Sequence, residues 1–285
     1  MRILVSGADG FTGRHFLRQA ELYGHTILPL SADLTNKPAI ALEVAEASPD
    51  AVVHLGAISF VGHGDPTAFY AVNVVGSVNL LEAIAALRHL PRRVLLASSA
   101  NIYGNCLVSP ISESQAPAPV NHYAASKLAM EHLARTYSAR LPLIITRPFN
   151  YTGPGQGSEF LVPKLVKHFA LRTSSIELGN LDVRREFNDV RMVCEAYLRL
   201  LEVGRPGEEY NVCTGQTYSL RELFDTLSQL TAHTMTIDVN PALIRSNEVY
   251  ELCGNPRKLL ADVGNLPEWK LRDTLSWMLE SLSGE

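Results

Sequence analysis

Arg2-Ile3-Leu4-Val5-Ser6-Gly7-Ala8-Asp9-Gly10-Phe11-Thr12-Gly13-Arg14 is the stretch whose reading decides the fold. Arg2 to Ser6 is a short apolar strand. Three glycines follow at three-residue spacing, and a helix is expected from near Arg14 to Gly24. Gly7 permits the tight turn, Gly10 lets backbone approach a pyrophosphate, and Gly13 lets the helix pack close to the strand. The positive end of the helix favours the anion. Strand, glycines and helix in this order predict a dinucleotide-binding loop.

Outward from that loop, strands and helices alternate. His25 to Leu30 reads as the second strand, and its tip, Leu30-Ser31, carries no acid to hold a ribose 2′-hydroxyl. Asp33 lies at about the expected distance from the glycines, but past the strand end. Ser31 and Arg14 are the residues available to a 2′-phosphate. The cofactor choice stays open, with NADP(H) slightly favoured and NAD(H) the alternative. Pro38 to Ala47 reads as an amphipathic helix. Ala51 to Ala57 reads as a buried strand ending in Leu55-Gly56-Ala57, where backbone can lie against a cofactor, with His54 packed rather than metal-bound. Pro66 to Leu87 is expected to be one long helix. Arg92 to Ala97 and Leu143 to Thr146 are further strands, and the alternation predicts a parallel sheet covered on both faces.

Ser98-Ser99 stand at a strand's C-terminal end, where ligands of such sheets bind. Tyr123 and Lys127 lie four apart on an expected helix and so share a face. A nearby ammonium favours phenolate and lowers the phenol's pKa from about 10, which suits a tyrosine to proton transfer.

After Arg147-Pro148-Phe149-Asn150 the rhythm changes. Helices are expected at Phe160 to Arg172, Asp189 to Val203 and Leu220 to Leu230, with strands at Ser175 to Leu178 and Glu209 to Val212. Gly179 to Phe187 is dense in charge and reads as a solvated loop. The expected division is a dinucleotide-binding domain over residues 1–150, rejoined by 188–215, and a smaller mixed C-terminal lobe over 151–187 and 216–285.

The composition is 46% hydrophobic and 19% charged, with a net charge of −4. It offers no basic footprint for nucleic acid. The four cysteines have no CxxC pair and read as reduced cytosolic thiols, not as a zinc site. A strand begins directly after Met1, so no signal peptide is expected. No apolar run approaches the roughly 20 residues of a bilayer span.

With the glycine loop, Ser99, Tyr123 and Lys127 in this order, the chain resembles the extended short-chain dehydrogenase/reductase family nearly end to end. The resemblance implies an α/β Rossmann fold, a doubly wound parallel sheet. It also implies an oxidoreductase with Ser99, Tyr123 and Lys127 working at a bound nicotinamide. The expected cofactor set is Gly7, Gly10, Phe11, Thr12, Gly13, Arg14, Ser31, Asp33, Leu34, Leu55, Gly56, Ala57, Asn73, Tyr123 and Lys127. In the second half, Leu178 to Asp182, Arg185-Glu186-Phe187, Arg245 with Glu248-Val249, and Gly254-Asn255-Pro256 are similar to the GDP-mannose branch. Ser99, Asn150, Lys164, Arg185, Arg245 and Glu248 match that branch's substrate positions. Its dehydratases carry glutamate two residues after the strand-end hydroxyl residue, whereas Asn101 stands here, an amide that cannot shuttle a proton. The resemblance therefore implies a cytoplasmic, homodimeric 4-keto reductase, converting GDP-4-keto-6-deoxy-mannose to GDP-D-rhamnose with no nucleic acid or membrane partner. A sugar 4-epimerase, a GDP-mannose 4,6-dehydratase and a non-catalytic cofactor-sensing protein are the alternatives.

Overall fold

Residues alternate between the two faces of a strand, and here both sets are apolar, as a sheet covered on both sides requires. Ile3, Val5, Ala51, Val53, Leu95 and Ile144 point into one core, and Leu4, Val52, Val94, Leu96 and Leu143 into the other. Each large aliphatic side chain so buried contributes about 1.5–3 kcal/mol.

The computed structural model describes residues 1–240 and 250–283. Its first half runs β1 (Arg2–Ser6), α1 (Phe11–Leu22), β2 (Thr26–Leu30), α2 (Lys37–Ala47), β3 (Ala51–His54), α3 (Pro66–Tyr70), a π-helical turn (Ala71–Gly76), α4 (Ser77–Ala85), β4 (Arg93–Ala97), α5 (His122–Arg135) and β5 (Leu143–Pro148). Then come β6 (Tyr151–Thr152), α6 (Leu161–Ala170), β7 (Ser175–Leu178), β8 (Arg184–Arg185), β9 (Asn188–Asp189), α7 (Val190–Val203) and β10 (Glu209–Val212). The chain continues with β11 (Tyr218–Ser219), α8 (Leu220–Thr231), β12 (Thr236–Val239), β13 (Glu251–Leu252), α9 (Arg257–Val263) and α10 (Leu271–Ser283).

The main sheet is six-stranded, in the order β2-β1-β3-β4-β5-β10, and every pairing is parallel. The chain leaves β1 for β2 on one side and returns to β3 on the other. The crevice between the C-terminal ends of β1 and β3 is therefore the topological switch point, where ligands of such sheets bind. Phe16, Ala20, Val193, Tyr197 and Leu200 from α1 and α7 cover one face. Ile40, Val44, Leu80, Leu81, Ile84 and Met130 from α2, α4 and α5 cover the other.

A third core, with Leu165, Phe169, Ile176, Leu223, Leu227 and Leu275, belongs to α6, β7, α8 and α10. The helix starts are chemically marked. Asn36, Asp65, Asn121 and Asp189 each accept a first-turn backbone N–H, and Ser219 with Glu222 forms a capping box.

Several expectations shift. α1 begins at Phe11, not near Arg14, because Gly10 supplies the extended N-cap. The long helix is continuous from Pro66 to Ala85, but a π turn interrupts it. At 20 residues it is long and apolar enough to cross a bilayer, contrary to the reading from sequence, although Leu80, Leu81 and Ile84 are packed into the sheet's core. The supposed solvated loop before Phe187 contains β8, which pairs with β11 and β13, and Glu186 beside it is 1% exposed. Leu259 and Val263 of α9, from the stretch assigned to the second lobe, lie in the core beneath β10 and α7.

Candidate active site

The switch-point crevice is built by glycines. Gly7 has φ +69°, and a Cβ there would stand 2.7 Å from the Gly56 Cα. A Cβ on Gly13 would stand 2.2 Å from the Gly7 carbonyl oxygen, so only glycine allows α1 to approach β1 this closely. Gly10 donates its N–H to the Gly7 carbonyl at 3.1 Å and closes the turn. Thr12 shares a 2.7 Å hydroxyl hydrogen bond with Tyr151, whose ring stacks on Phe11. Leu34 packs beneath the same crevice, since a Cβ on Gly56 would meet its Cδ1 at 2.9 Å. Leu55 and Ala57 are half-buried on either side of Gly56, and Leu55 donates its N–H to the Ser6 carbonyl.

The tip of β2 departs from the sequence reading. Leu30-Ser31 carries no acid and Asp33 lies past it, yet the fold brings a carboxylate in from α2. The Glu43 carboxylate accepts the Ser31 N–H (2.7 Å), the Ser31 hydroxyl (3.0 Å) and the Ala32 N–H (2.8 Å). Arg14 donates to the carbonyls of Asp9 (2.5 Å) and Gly155 (2.9 Å). The Asp33 carboxylate is turned into its own loop, accepting both the N–H and the hydroxyl of Thr35 at 2.7 Å.

Behind the crevice, His54 is buried and neutral. Its pKa is held down at about 3, first by burial and then by the Lys127 charge. Ser77 donates its hydroxyl proton to the Asn73 carbonyl at 2.7 Å, so its oxygen accepts from His54 Nε2–H, also at 2.7 Å. Nδ1 is then the acceptor for the Ser6 hydroxyl at 2.5 Å, and Ser6 in turn accepts the Gly56 N–H. The network assigns the tautomer. Asn73 continues it within the π turn, bonding the N–H and carbonyl of Ile58 and the hydroxyl of Ser126. Ser126 donates to the carbonyl of Tyr123.

Ser99, Tyr123 and Lys127 are all buried. Asn121 caps α5 by accepting the Ala124 N–H at 2.9 Å, which places Tyr123 in the first turn. Ser99 caps the short helical turn Ala100–Tyr103, and its oxygen accepts from Asn101 N (3.2 Å) and Asn101 Nδ2 (3.3 Å). Burial pushes the Tyr123 phenol above its ordinary pKa, and the Ser99 hydrogen bond offsets part of the rise. This reverses the direction expected from the four-residue spacing. The Lys127 ammonium donates instead to the Ala97 carbonyl at 2.7 Å. Burial pushes Lys127 itself down to about 8, with the Glu131 carboxylate opposing the fall. Glu131 is one turn further along α5, and its two oxygens accept from Nε and Nη2 of Arg147, at 3.0 and 2.7 Å. Arg147 also donates to Tyr103, which donates to Asn211.

Of the expected substrate residues, Asn150, Lys164 and Arg185 have main-chain partners. Asn150 accepts the Asn188 N–H through its carbonyl. Lys164 donates to the Glu177 carbonyl at 3.1 Å. Arg185 donates to the carbonyls of Arg184 (2.8 Å) and Tyr250 (3.3 Å). Arg245 and Glu248 lie outside the described residues. Sequence reasoning missed Glu43, Tyr151, Glu131 and Glu186. Of these, only Glu131 carried a local signal, its four-residue step beyond Lys127.

A family model described as GDP-mannose 4,6 dehydratase matches residues 17–278. The chain is 39% identical, over 93% of its length and 92% of the relative's, to GDP-6-deoxy-D-talose 4-dehydrogenase of Aggregatibacter actinomycetemcomitans. It is 35% identical to GDP-6-deoxy-D-mannose reductase of Pseudomonas aeruginosa, over 98% and 96% of the two chains. The structure of RMD from Pseudomonas aeruginosa complexed with NADPH superposes with a TM-score of 0.91 at 32% identity, covering 99% of each chain.

Proposed function

The chain belongs to the GDP-mannose 4,6-dehydratase family, and from that premise we propose that it reduces the C4 keto group of GDP-4-keto-6-deoxy-mannose. The product is GDP-D-rhamnose. The observation that carries the reading is Ser99 hydrogen-bonded to Tyr123 and Lys127 held on Ala97 at the end of β4, with an amide, Asn101, against the Ser99 hydroxyl. A dehydratase needs an ionisable group at position 101.

The cofactor is NADP(H), with NAD(H) the alternative, and it supplies a hydride when bound. The glycine loop suits the diphosphate that both cofactors share, while Glu43 at the β2 tip works against a 2′-phosphate. The Gly7, Gly10 and Gly13 cradle admits a diphosphate at the N-terminus of α1. Tyr123 remains a phenol at neutral pH and donates its proton to the developing O4 alkoxide. Ser99 donates a hydrogen bond to the same oxygen and stabilises the charge as it forms. Lys127, held on the Ala97 carbonyl one helical turn after Tyr123, tunes the phenol and holds the cofactor ribose in this reading.

Residues 151–187 and 216–285, apart from α9, make the lobe that receives the nucleotide sugar in this reading. Asn150, Lys164, Arg185, Arg245 and Glu248 are its contacts, the arginines for the diphosphate. The same reading carries a cytoplasmic homodimer with no nucleic acid or membrane partner. A second product has support of its own, because one relative is named for 6-deoxy-D-talose, the C4 epimer of D-rhamnose. The deciding experiment offers a panel of nucleotide 4-keto sugars with NADPH and with NADH, and assigns C4 of the product by NMR. Consumption of NADPH with the GDP-linked keto sugar alone supports the proposal. Consumption only with other nucleotides overturns it.

A further inference from the structure

Glu186 stands in the charged stretch Arg184-Arg185-Glu186-Phe187, yet it is buried. Four N–H donors converge on its carboxylate. Oε1 accepts the Gly254 N–H at 2.6 Å. Oε2 accepts the Thr214 N–H (2.8 Å), the Gly215 N–H (3.3 Å) and Asn188 Nδ2 (3.0 Å). The Thr214 hydroxyl also lies 3.3 Å away, but its one proton has a shorter partner in Asn188 Oδ1, at 2.7 Å. Asn188 is thereby oriented with its amide nitrogen toward Glu186.

These donors come from parts of the chain that meet only here. Thr214 and Gly215 follow β10, the last strand of the main sheet. Asn188 begins β9 and donates its backbone N–H to Asn150, at the end of β5. Gly254 follows β13, which pairs with Arg184 and Arg185 of β8. Gly254 is also fixed from behind, because a Cβ there would stand 2.6 Å from both Cys213 Sγ and the Phe149 ring. Its neighbours Cys253 and Asn255 bond both main-chain groups of Ile111, in the loop that follows the Ser99 turn. One carboxylate therefore joins the sheet edge to the strand pair that carries Arg185.

We propose that Glu186 is a positioning residue for the nucleotide half of the substrate, locking β8 and β13 onto the sheet edge so that Arg185 meets the diphosphate of a nucleoside-diphosphate sugar. This rests on the function proposed above. It is distinct from the hydride and proton chemistry, which Glu186 does not touch. The lock needs a carboxylate, because four N–H groups require an acceptor at both oxygens. An amide of the same shape would turn its own N–H₂ against one of the two donor sets and leave buried donors unpaired.

The test uses the full-length protein and compares wild type with Glu186→Gln and with Asn188→Ala, which removes one of the four donors. Km for the GDP-linked keto sugar, Km for NADPH, kcat and the calorimetric affinity for GDP are measured for each. Glu186→Gln is expected to raise the sugar Km and weaken GDP binding at least about tenfold. Asn188→Ala is expected to act in the same direction by about two- to fivefold. kcat and the NADPH Km should stay within about twofold in both. A sugar Km unchanged in Asn188→Ala, with Glu186→Gln either unchanged or too unstable to purify, overturns the proposal. So does a rise of the NADPH Km equal to that of the sugar, since general loosening would then explain the effect. If GDP affinity depends on Glu186 but no keto sugar is reduced, the proposed reaction fails and the lock stands. If wild type binds no GDP, both fail.

Discussion

The Lys127 ammonium donates to the Ala97 carbonyl at 2.7 Å, pinning α5 to the end of β4 two residues before Ser99. The bond holds the Lys127 charge at the end of β4 while burial works against it.

That opposition sets a pH limit. Lys127 has its ordinary pKa of 10.5 in the unfolded chain and about 8 in the fold. Between those values the unfolded chain binds more protons, so the stability term from this group rises with pH across the window. Below about 8 the cost of the buried charge is fully present. Activity follows the opposite sign, because the charged lysine is the working form. The rate of keto reduction should fall above pH 8, approaching tenfold per pH unit. A kcat/Km profile flat to pH 10 would show that the lysine's charge is not needed.

Tyr123→Phe retains the ring and removes the proton donor. Turnover should fall about 10²- to 10⁴-fold, the usual worth of a general acid. NADPH affinity, read by fluorescence titration, should change less than threefold, roughly the range of a lost peripheral contact. Near-native turnover would remove Tyr123 from its assigned role.

Glu43 places a carboxylate at the β2 tip, on the Ser31 hydroxyl. That charge repels a 2′-phosphate and is compatible with a 2′-hydroxyl. Replacing it by Gln should raise the ratio of kcat/Km for NADPH over NADH by about three- to tenfold at low salt, less at high salt. An unchanged ratio would make Glu43 a cap for the loop and nothing more.

Arg147 and Glu131 form a buried, bidentate pair under Lys127, 4% and 0% exposed at their side chains. Arg147→Met leaves the Glu131 carboxylate without its main partner and should lower unfolding free energy by about 3–5 kcal/mol in urea. A loss below about 1 kcal/mol would mean that Arg135, 3.4 Å from Glu131, takes over the pairing.

What was legible in the chain was what neighbours in sequence decide. Gly7, Gly10 and Gly13 force a turn between a strand and a helix, and the structure has that turn. Tyr123 and Lys127 share a helix face because their spacing is four. The alternating strands foretold the parallel sheet, since each runs apolar on both faces. Apart from Glu131, the groups that were missed act across long separations. Glu43 reaches Ser31 from 12 residues away, Gly254 reaches Glu186 from 68 and Tyr151 reaches Thr12 from 139. No spacing rule links such positions. Glu186 was masked by its arginine neighbours, which made the stretch read as solvated. The direction of the Tyr123 shift also failed to follow from spacing, because burial outweighs a lysine that points at a carbonyl.

Reduction and dehydration part company at position 101, where this chain has an amide. Dehydration removes a proton at C5 and protonates the departing C6 hydroxyl, and neither Ala100 nor Asn101 can ionise. Reduction needs one hydride and one proton. The most direct measurement is therefore the mass of the nucleotide sugar after two parallel incubations, with cofactor absorbance followed in each. GDP-4-keto-6-deoxy-mannose with NADPH should gain two hydrogens while one cofactor is oxidised per sugar, and GDP-mannose with NADP⁺ should be returned unchanged. Loss of water from GDP-mannose, or a keto sugar altered at constant mass with no cofactor consumed, would contradict the account.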